Sequence, residues 1–543
     1  MSMILPIITF LPLLGALLCM VVPREEVGLQ RGLAFSTALV TFLISLFALS
    51  GFDPNTMNHV IKWAWAPSLG INFHLGVDGI SIWLLLLTTF LMPIVLLSST
   101  EAISDKVREF VVCVLVLETG MIGAFLALDL FLFYVYWEVM LIPMYFIIGV
   151  WGGDRRLYAA IKFVLYTMAG SLLMLIAILY MYIRAHEATG SWSFAYDTMR
   201  GLILTPREQL YLFLAFGLAF CIKVPLFPLH TWLPDAHVEA PTAGSVILAS
   251  VMLKFGTYGL IRFAIPFFPH AMETMAPILQ ALAVIGVVYG SLVAFAQPDM
   301  KKLIAYSSVA HMGFVVLGLT MMNARAVNGA MYQMLAHGIS TGGLFLCVGV
   351  LYERRHTRRL DEYGGIWARM PIFGAVLLIF TMASVGLPGL SGFVGEFLVI
   401  LGTFSAERGS AGMPAIFAHA KPLAAICALG VVLGAVYMLW LFQRVMFGPL
   451  TNPLNKKLSD LTNREIVVML PMLAMAFWLG IFPSTFLSDI DPAVNRTLTA
   501  FKEKYAAGPA TDAPRMLGGD KQADAKKPDD AKNPSAPAQP AAK

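Results

Sequence analysis

The chain reads as a succession of long apolar runs separated by short polar stretches. Fourteen runs approach or exceed the roughly 20 residues that carry a helix across a hydrocarbon core. They fall at about 3–22, 33–52, 79–98, 110–128, 130–150, 158–184, 209–233, 241–265, 274–295, 300–322, 326–351, 371–404, 421–447 and 464–487. The pattern predicts an all-α membrane protein of about 14 transmembrane helices. Two of the longest runs, 371–404 and 421–447, read as broken or tilted helices rather than extra-long straight rods. The first run reads as a retained span, because no basic residue precedes it and no small-x-small cleavage site follows.

Composition agrees with the pattern. Hydrophobic residues make up 58% of the 543 positions and charged residues 13%, against roughly 25% charged in soluble domains. Mean hydropathy is +0.76. The net charge of +4 is spread without a basic block, which argues against nucleic-acid binding. A cytosolic enzyme and a disulfide-built secreted domain are likewise excluded. Cys19, Cys113, Cys221, Cys347 and Cys427 each sit inside an apolar run, with no CxxC spacing, so disulfide, zinc and iron–sulfur readings all fail. GxGxxG, GxxxxGK[ST] and HExxH are absent. Any redox or ATP-driven chemistry would use a cofactor held by a partner.

Loop charge orients the spans. Arg24, Arg31, Lys106, Arg108, Arg155, Arg156, Lys301, Lys302, Arg354, Arg355, Arg358, Arg359, Arg369, Lys456, Lys457 and Arg464 fall in one set of alternate loops. Lys62, Arg184, Arg200, Arg207, Arg262, Arg325, Arg408 and Lys421 fall in the other. The bias places the first set in the cytoplasm and both termini outside. From Gly508 to Lys543 the composition turns to Ala, Pro, Lys and Asp, which predicts a disordered tail.

Six ionisable residues lie near the middle of their spans: Glu138, Lys223, Lys254, His311, His337 and Glu396. Such a residue costs roughly 2.5–3.5 kcal/mol on insertion scales and faces a cavity or a partner. A shared depth would let the six form a row along the membrane plane. A lone histidine can also serve helix packing, and a Glu–Lys pair can fix register. A lysine responds to a moving carboxylate by changing charge, which makes the row a proton relay. Glu118 and Lys162 are also within spans, the first without an evident partner and the second near enough to an end to snorkel.

Two spans are interrupted. Pro225 and Pro228 follow Lys223, and Val385–Phe393 (VGLPGLSGF) precedes Glu396. Such breaks are tolerated at membrane depth only beside protein or water, and a matched pair points to a transporter's ion site. Glu138 to Lys223 and His311 to Glu396 are both 85 residues apart. Spans four to eight (110–265) and nine to thirteen (274–447) therefore read as two five-helix units, the second inverted. They are flanked by helices 1–3 (1–109), a C-terminal helix (464–507) and the tail (508–543). His230, Asp235, His237 and Glu239 invite a metal test, but the prolines around them argue for a membrane-edge turn.

At FYVYWEVMLIPMYFIIGVWGG, KVPLFPLHTWLPDAHVEAPTAGSVILASVMLKFGTYG, LIAYSSVAHMGF and LPGLSGFVGEFL, the chain resembles the antiporter-like membrane subunits of respiratory complex I (NADH:quinone oxidoreductase). The resemblance runs from Met1 to about Lys504. Glu396 on the broken twelfth helix, where the other paralogues carry lysine, and the lack of a fifteenth span resemble the chain M (subunit 4) type. The resemblance implies that Glu138 pairs with Lys223, that Lys254 passes the proton onward, that His311 and His337 bridge to the second half-channel, and that Glu396 is its terminal acid. It implies no cofactor in this chain, with NADH, FMN, iron–sulfur clusters and quinone in partner subunits. The implied neighbours are chain L and chain N type paralogues in a bacterial inner membrane, or the mitochondrial one if organellar. The rival readings are a subunit of a multi-subunit sodium/proton antiporter, against which Glu396 counts, and a structural membrane scaffold.

Overall fold

The computed structural model describes residues 3–406, 418–511 and 513–518. Among these, twelve helices are long and apolar enough to cross a membrane. They are α1 (Ile4–Val21), α2 (Val27–Leu46, extended by one turn to Leu49), α3 (Ile82–Ala102), α4 (Val107–Leu126), the consecutive pair α5 (Leu130–Val139) and α6 (Leu141–Trp151), and α7 (Arg156–Thr189). After short α8 (Tyr196–Gly201) and the interrupted pair α9 (Pro206–Lys223) and α10 (Trp232–Glu239) come α11 (Thr242–Phe267), α12 (Pro269–Phe295), α13 (Met300–Thr320) and α14 (Ala324–Arg355). A second interrupted pair, α15 (Pro371–Val385) and α16 (Ser391–Phe404), precedes α17 (Ala420–Met446) and α18 (Asn463–Ile481). Counting each interrupted pair as one crossing would give the expected fourteen.

Both breaks lie where the sequence places them. Helix α9 ends on Lys223, and Gly386–Leu390 separates α15 from α16. Gly386 caps α15 at φ +85°, a left-handed turn that glycine adopts without a Cβ clash. Helix α11 carries two π-helical segments, Leu248–Met252 and Leu260–Ala264. Helices α11 and α14 are wholly buried along their apolar stretches and form the centre of the bundle.

Three features were not read from the apolar runs. Strands β1 (Asn58–Ala66) and β2 (Ile71–Val77) form an antiparallel hairpin. The C-terminal helix expected over 464–507 is two helices, α18 and a separate α19 (Ser484–Ala506), parted at Phe482 and Pro483, where the proline supplies no backbone donor. Polar residues recurring through the second half make α19 amphipathic. The tail does not loosen at Gly508: β4 (Arg515–Met516) pairs with β3 (Leu202–Ile203), and Ala510 N–H donates to Leu204 O. Residue 512 and residues 519–543 of the expected tail, and Arg408 of the loop set, lie outside the described residues.

One backbone arrangement occurs twice. Asp129 caps α5 by accepting from Phe131 and Leu132 N–H, and Asp299 caps α13 by accepting from Lys301 and Lys302 N–H. Beside the first, Leu130 N–H donates to Phe194 O and Tyr196 N–H to Leu128 O. Beside the second, Met300 N–H donates to Arg358 O and Leu360 N–H to Pro298 O. The first bridge lies beside the β1–β2 hairpin, with Leu128 N–H on His74 O. The second lies at the opposite face, where the start of α13 meets the residues that follow α14.

Candidate functional site

Four of the six mid-span residues are brought together in a buried series, hydrogen-bonded at its two ends and joined in the middle by a ring contact. Lys254 follows the first π segment of α11, and its Nζ donates to Ala249 O at 2.5 Å, five residues back. The same atom lies 2.7 Å from His337 Nδ1 on α14. The His337 ring faces His311 of α13 at a centroid distance of 5.6 Å, and its Nε2 has no hydrogen-bond partner among the described residues. His311 Nδ1 lies 2.8 Å from Glu396 Oε1 on α16, and its Nε2 lies 3.2 Å from Ser384 Oγ. The spatial order is therefore Lys254, His337, His311, Glu396. This reverses the order of the two histidines along the chain, because α14 passes through the bundle centre between α11 and α13.

The break in the twelfth span shapes the acid end. A Cβ on Gly386 would stand 3.1 Å from Glu396 Oε2, so the turn brings backbone up to the carboxylate. Gln333 Nε2 donates to Glu396 Oε1 at 3.1 Å. Sequence reading missed Gln333 and Ser384. Gln333 lies four residues before His337 and so shares its helical face, which is the signal that would have found it.

The expected Glu138–Lys223 pair is not an ion pair in the structure. Lys223 Nζ has no hydrogen-bond partner among the described residues, and Glu138 Oε1 has none either. Lys223 instead sits 5.4 Å from the Trp137 ring and 5.5 Å from Phe163, where aromatic faces attract a cation. The Lys223 end of α9 nevertheless meets α11 closely: a Cβ on Gly256 would stand 2.5 Å from Phe220 O and from Val224 Cγ2. Glycine at 256 lets the helix bearing Lys254 approach the break.

The remaining charges sort differently from the expectation. Lys162 does not snorkel freely but pairs with Asp235 at 2.7 Å. Glu118 is fully buried, with neither oxygen hydrogen-bonded among the described residues. Arg262 and Lys301, read as loop charges, are buried within α11 and α13, Arg262 on Asp78 and Lys301 on Ala240 O. Asp235 is committed to Lys162, and Glu239 Oε2 accepts from Arg155 N–H. No group of three or more His, Cys, Asp or Glu among the described residues is placed to hold a metal. A polar cavity of about 370 Å³ opens beside Glu239, Lys301, Glu353, His356 and Arg358 at the face opposite the hairpin.

Chemically, Lys254 and His337 can share one proton: either the ammonium donates to Nδ1, or a protonated Nδ1 donates to the amine. A histidine that accepts on one ring nitrogen can release from the other. His311 can donate from Nδ1 to the Glu396 carboxylate while Nε2 exchanges with the Ser384 hydroxyl. The two end links, Lys254–His337 and His311–Glu396, each set a proton donor against an acceptor, while the middle link, His337 to His311, is a ring contact without a hydrogen bond. The site is of low polarity, where an unpaired charge is costly.

Comparison with known proteins gives one consistent family. Residues 127–418 match the family described as NADH:quinone oxidoreductase/Mrp antiporter, TM, and residues 8–124 match NADH-ubiquinone oxidoreductase chain 4, amino terminus. The chain is similar to NADH-quinone oxidoreductase subunit M of Rhodobacter capsulatus, with 48% identity over 507 residues, 91% of this chain and 96% of that protein. It is 44% identical to NADH-ubiquinone oxidoreductase chain 4 of Marchantia polymorpha, over 89% of this chain and 95% of that one. A chain of respiratory complex I from Thermus thermophilus with bound NADH superposes with a TM-score of 0.81 at 33% identity, covering 92% of this chain and 99% of that chain. A chain of the Mrp complex from a Dietzia species shares the fold, with a TM-score of 0.77 at 18% identity over 93% of this chain and 99% of that one.

Proposed function

The chain belongs to the NADH:quinone oxidoreductase/Mrp antiporter family of transmembrane proteins, and on that premise we propose that it is a proton-translocating, antiporter-like membrane subunit of NADH:quinone oxidoreductase. The observation that carries the reading is the buried contact series Lys254–His337–His311–Glu396. Protons enter from the polar cavity opposite the hairpin, reach Lys254, and move sideways through the two histidines to Glu396. Glu138 and Lys223 act upstream by changing the charge felt at Lys254. Driving one charge against 100 mV takes about 2.3 kcal/mol, comparable to a pKa change of under two units at 1.36 kcal/mol each.

In this reading NADH oxidation and quinone reduction occur on cofactors of partner subunits, and the chain itself contributes proton movement. The neighbours are the chain L and chain N type paralogues in an inner membrane, and the hairpin face points outward with both termini. The two five-helix units are an inverted repeat, which the two Asp-capped bridges at opposite faces support.

Glu396 and the 48% identity to a subunit M favour this reading over a sodium/proton antiporter subunit. The test is single replacement of Lys254→Met, His337→Asn and Glu396→Gln in the assembled complex. Loss of NADH-driven vesicle acidification is expected in each. Undiminished acidification in all three would favour a scaffold, and sodium dependence without NADH coupling would favour the antiporter.

A further inference from the structure

The helix that bears Lys254 continues toward the hairpin face, and that half of it is closed in two ways. Eight residues beyond Lys254, about 12 Å along the axis at 1.5 Å per residue, Arg262 lies in the second π segment. Its guanidinium grips Asp78, which follows β2, through two hydrogen bonds: Nη1 to Oδ2 at 2.9 Å and Nη2 to Oδ1 at 2.5 Å. Arg262 Nε donates to Tyr258 Oη at 3.2 Å, and Tyr258 in turn donates to Phe125 O. The carboxylate is satisfied from its other side by the N–H groups of Ile80 and Ser81, with Arg496 of α19 at 3.9 Å. Both partners are buried, at 3% and 4% exposure.

Between Lys254 and this pair the packing is aromatic. Phe255 stacks on Phe125 at 4.1 Å and Tyr258 meets the same ring edge-on at 5.1 Å; one residue beyond Arg262, Phe263 packs on Phe133 at 4.4 Å. A guanidinium keeps its proton throughout the physiological range and has no acceptor, so it cannot relay one. Its fixed positive charge also repels an approaching excess proton. Of the two hydroxyls between Lys254 and Arg262, Tyr258 donates to Phe125 O and Thr257 to Lys254 O, so among the described residues neither joins the Lys254 amine to the guanidinium.

We propose that the Asp78–Arg262 pair and the aromatic layer beneath it form a proton seal, closing the hairpin-face end of the Lys254 helix so that protons leave Lys254 only sideways through His337. The inference rests on the proton-path reading above and adds what prevents a short circuit across the first half of the molecule. Arg496 links the seal to α19, which spans the hairpin face and pins its other end through Lys504 on Arg200 O and Phe267 O.

The test is passive proton flow in vesicles carrying the assembled complex, with an imposed pH gradient and no NADH, followed by an entrapped pH dye. The double variant Asp78→Asn with Arg262→Met removes both charges together, so no lone buried charge remains. A several-fold faster collapse of the gradient is expected, with NADH oxidation in uncoupled vesicles unchanged. Adding Lys254→Met should return the collapse to the rate of the unaltered complex, because the leak would pass through Lys254. An unchanged rate in the double variant overturns the seal, and so does a leak that survives Lys254→Met. Should the double variant fail to assemble, Arg262→Lys decides: a cation that can release its proton should leak faster than arginine, and an equal rate overturns the proposal. Unaltered NADH-driven pumping in Lys254→Met alone would instead sink the proton-path reading, a separate measurement from the passive leak.

Discussion

Lys254 Nζ and His337 Nδ1 meet at 2.7 Å between the two wholly buried central helices, so one proton serves both groups. The contact depends on a π turn: Ala249 O holds the same amine at 2.5 Å, and the wider turn sets the lysine at the level of the histidine.

Lys254→Arg is expected to assemble but not to pump. Arginine keeps the positive charge and cannot give its proton up, so a relay through position 254 stops while a purely electrostatic role would survive. The check is the ratio of protons moved to NADH oxidised, which should fall while uncoupled NADH oxidation persists.

His337→Asn removes the link between Lys254 and His311, and proton transfer through the site should slow by about 10²-fold, the usual scale for losing a positioned acid–base group. Gln333→Met leaves the series intact and removes one donor from Glu396, so about tenfold is expected, from a charge-assisted hydrogen bond of about 1.5 kcal/mol. Single-turnover proton release after an NADH pulse separates the two; equal effects would contradict the assigned order.

Asp78→Asn should destabilise the hairpin-face end of α11 by about 3–5 kcal/mol, because it strands the Arg262 charge in a buried site. Asp78→Asn with Arg262→Met should cost much less. Burial acts to raise the Asp78 carboxyl and the Arg262 guanidinium overcomes it, leaving the group below the ordinary carboxylate range. An acid so depressed contributes stability above its unfolded value, about 3.9, and loses it as pH falls through the lower folded value. Hydrogen-exchange protection in α11, corrected for the intrinsic pH dependence of amide exchange, should therefore be flat from neutral pH to about 4.

Asp129 behaves in the opposite sense. Burial pushes its carboxyl up to about 6, against the N–H groups of Asn72, Leu132 and Phe131. The ionised form is thus disfavoured in the fold: the penalty is complete above pH 6 and absent below about 3.9. Asp129→Asn keeps a capping oxygen and should slow exchange in the first turn of α5 at pH 8, by up to about 3 kcal/mol of local stability. At pH 4 the difference should vanish, and a benefit equal at both values would refute the titration.

The apolar runs located the membrane-crossing helices, because lipid leaves a backbone no alternative to internal hydrogen bonding, and Pro225, Pro228 and the glycine- and proline-rich stretch before Glu396 marked both breaks. A charged residue in the middle of such a run is conspicuous for the same reason, and Lys254, His311, His337 and Glu396 were legible as a set. Their order was not, since it depends on which helices are neighbours, and α14 lies between α11 and α13 although it follows both in sequence. The same limit explains the other differences. Lys223 and Glu138 share a depth without touching, because Trp137 and Phe163 face the lysine. Arg262 looked like a loop charge until Asp78, 184 residues earlier, was found holding it. Depth is a property of one helix and is written in its local sequence. Adjacency is decided by packing between distant segments, and only the tertiary structure turned buried charges at one depth into an ordered path with a closed end.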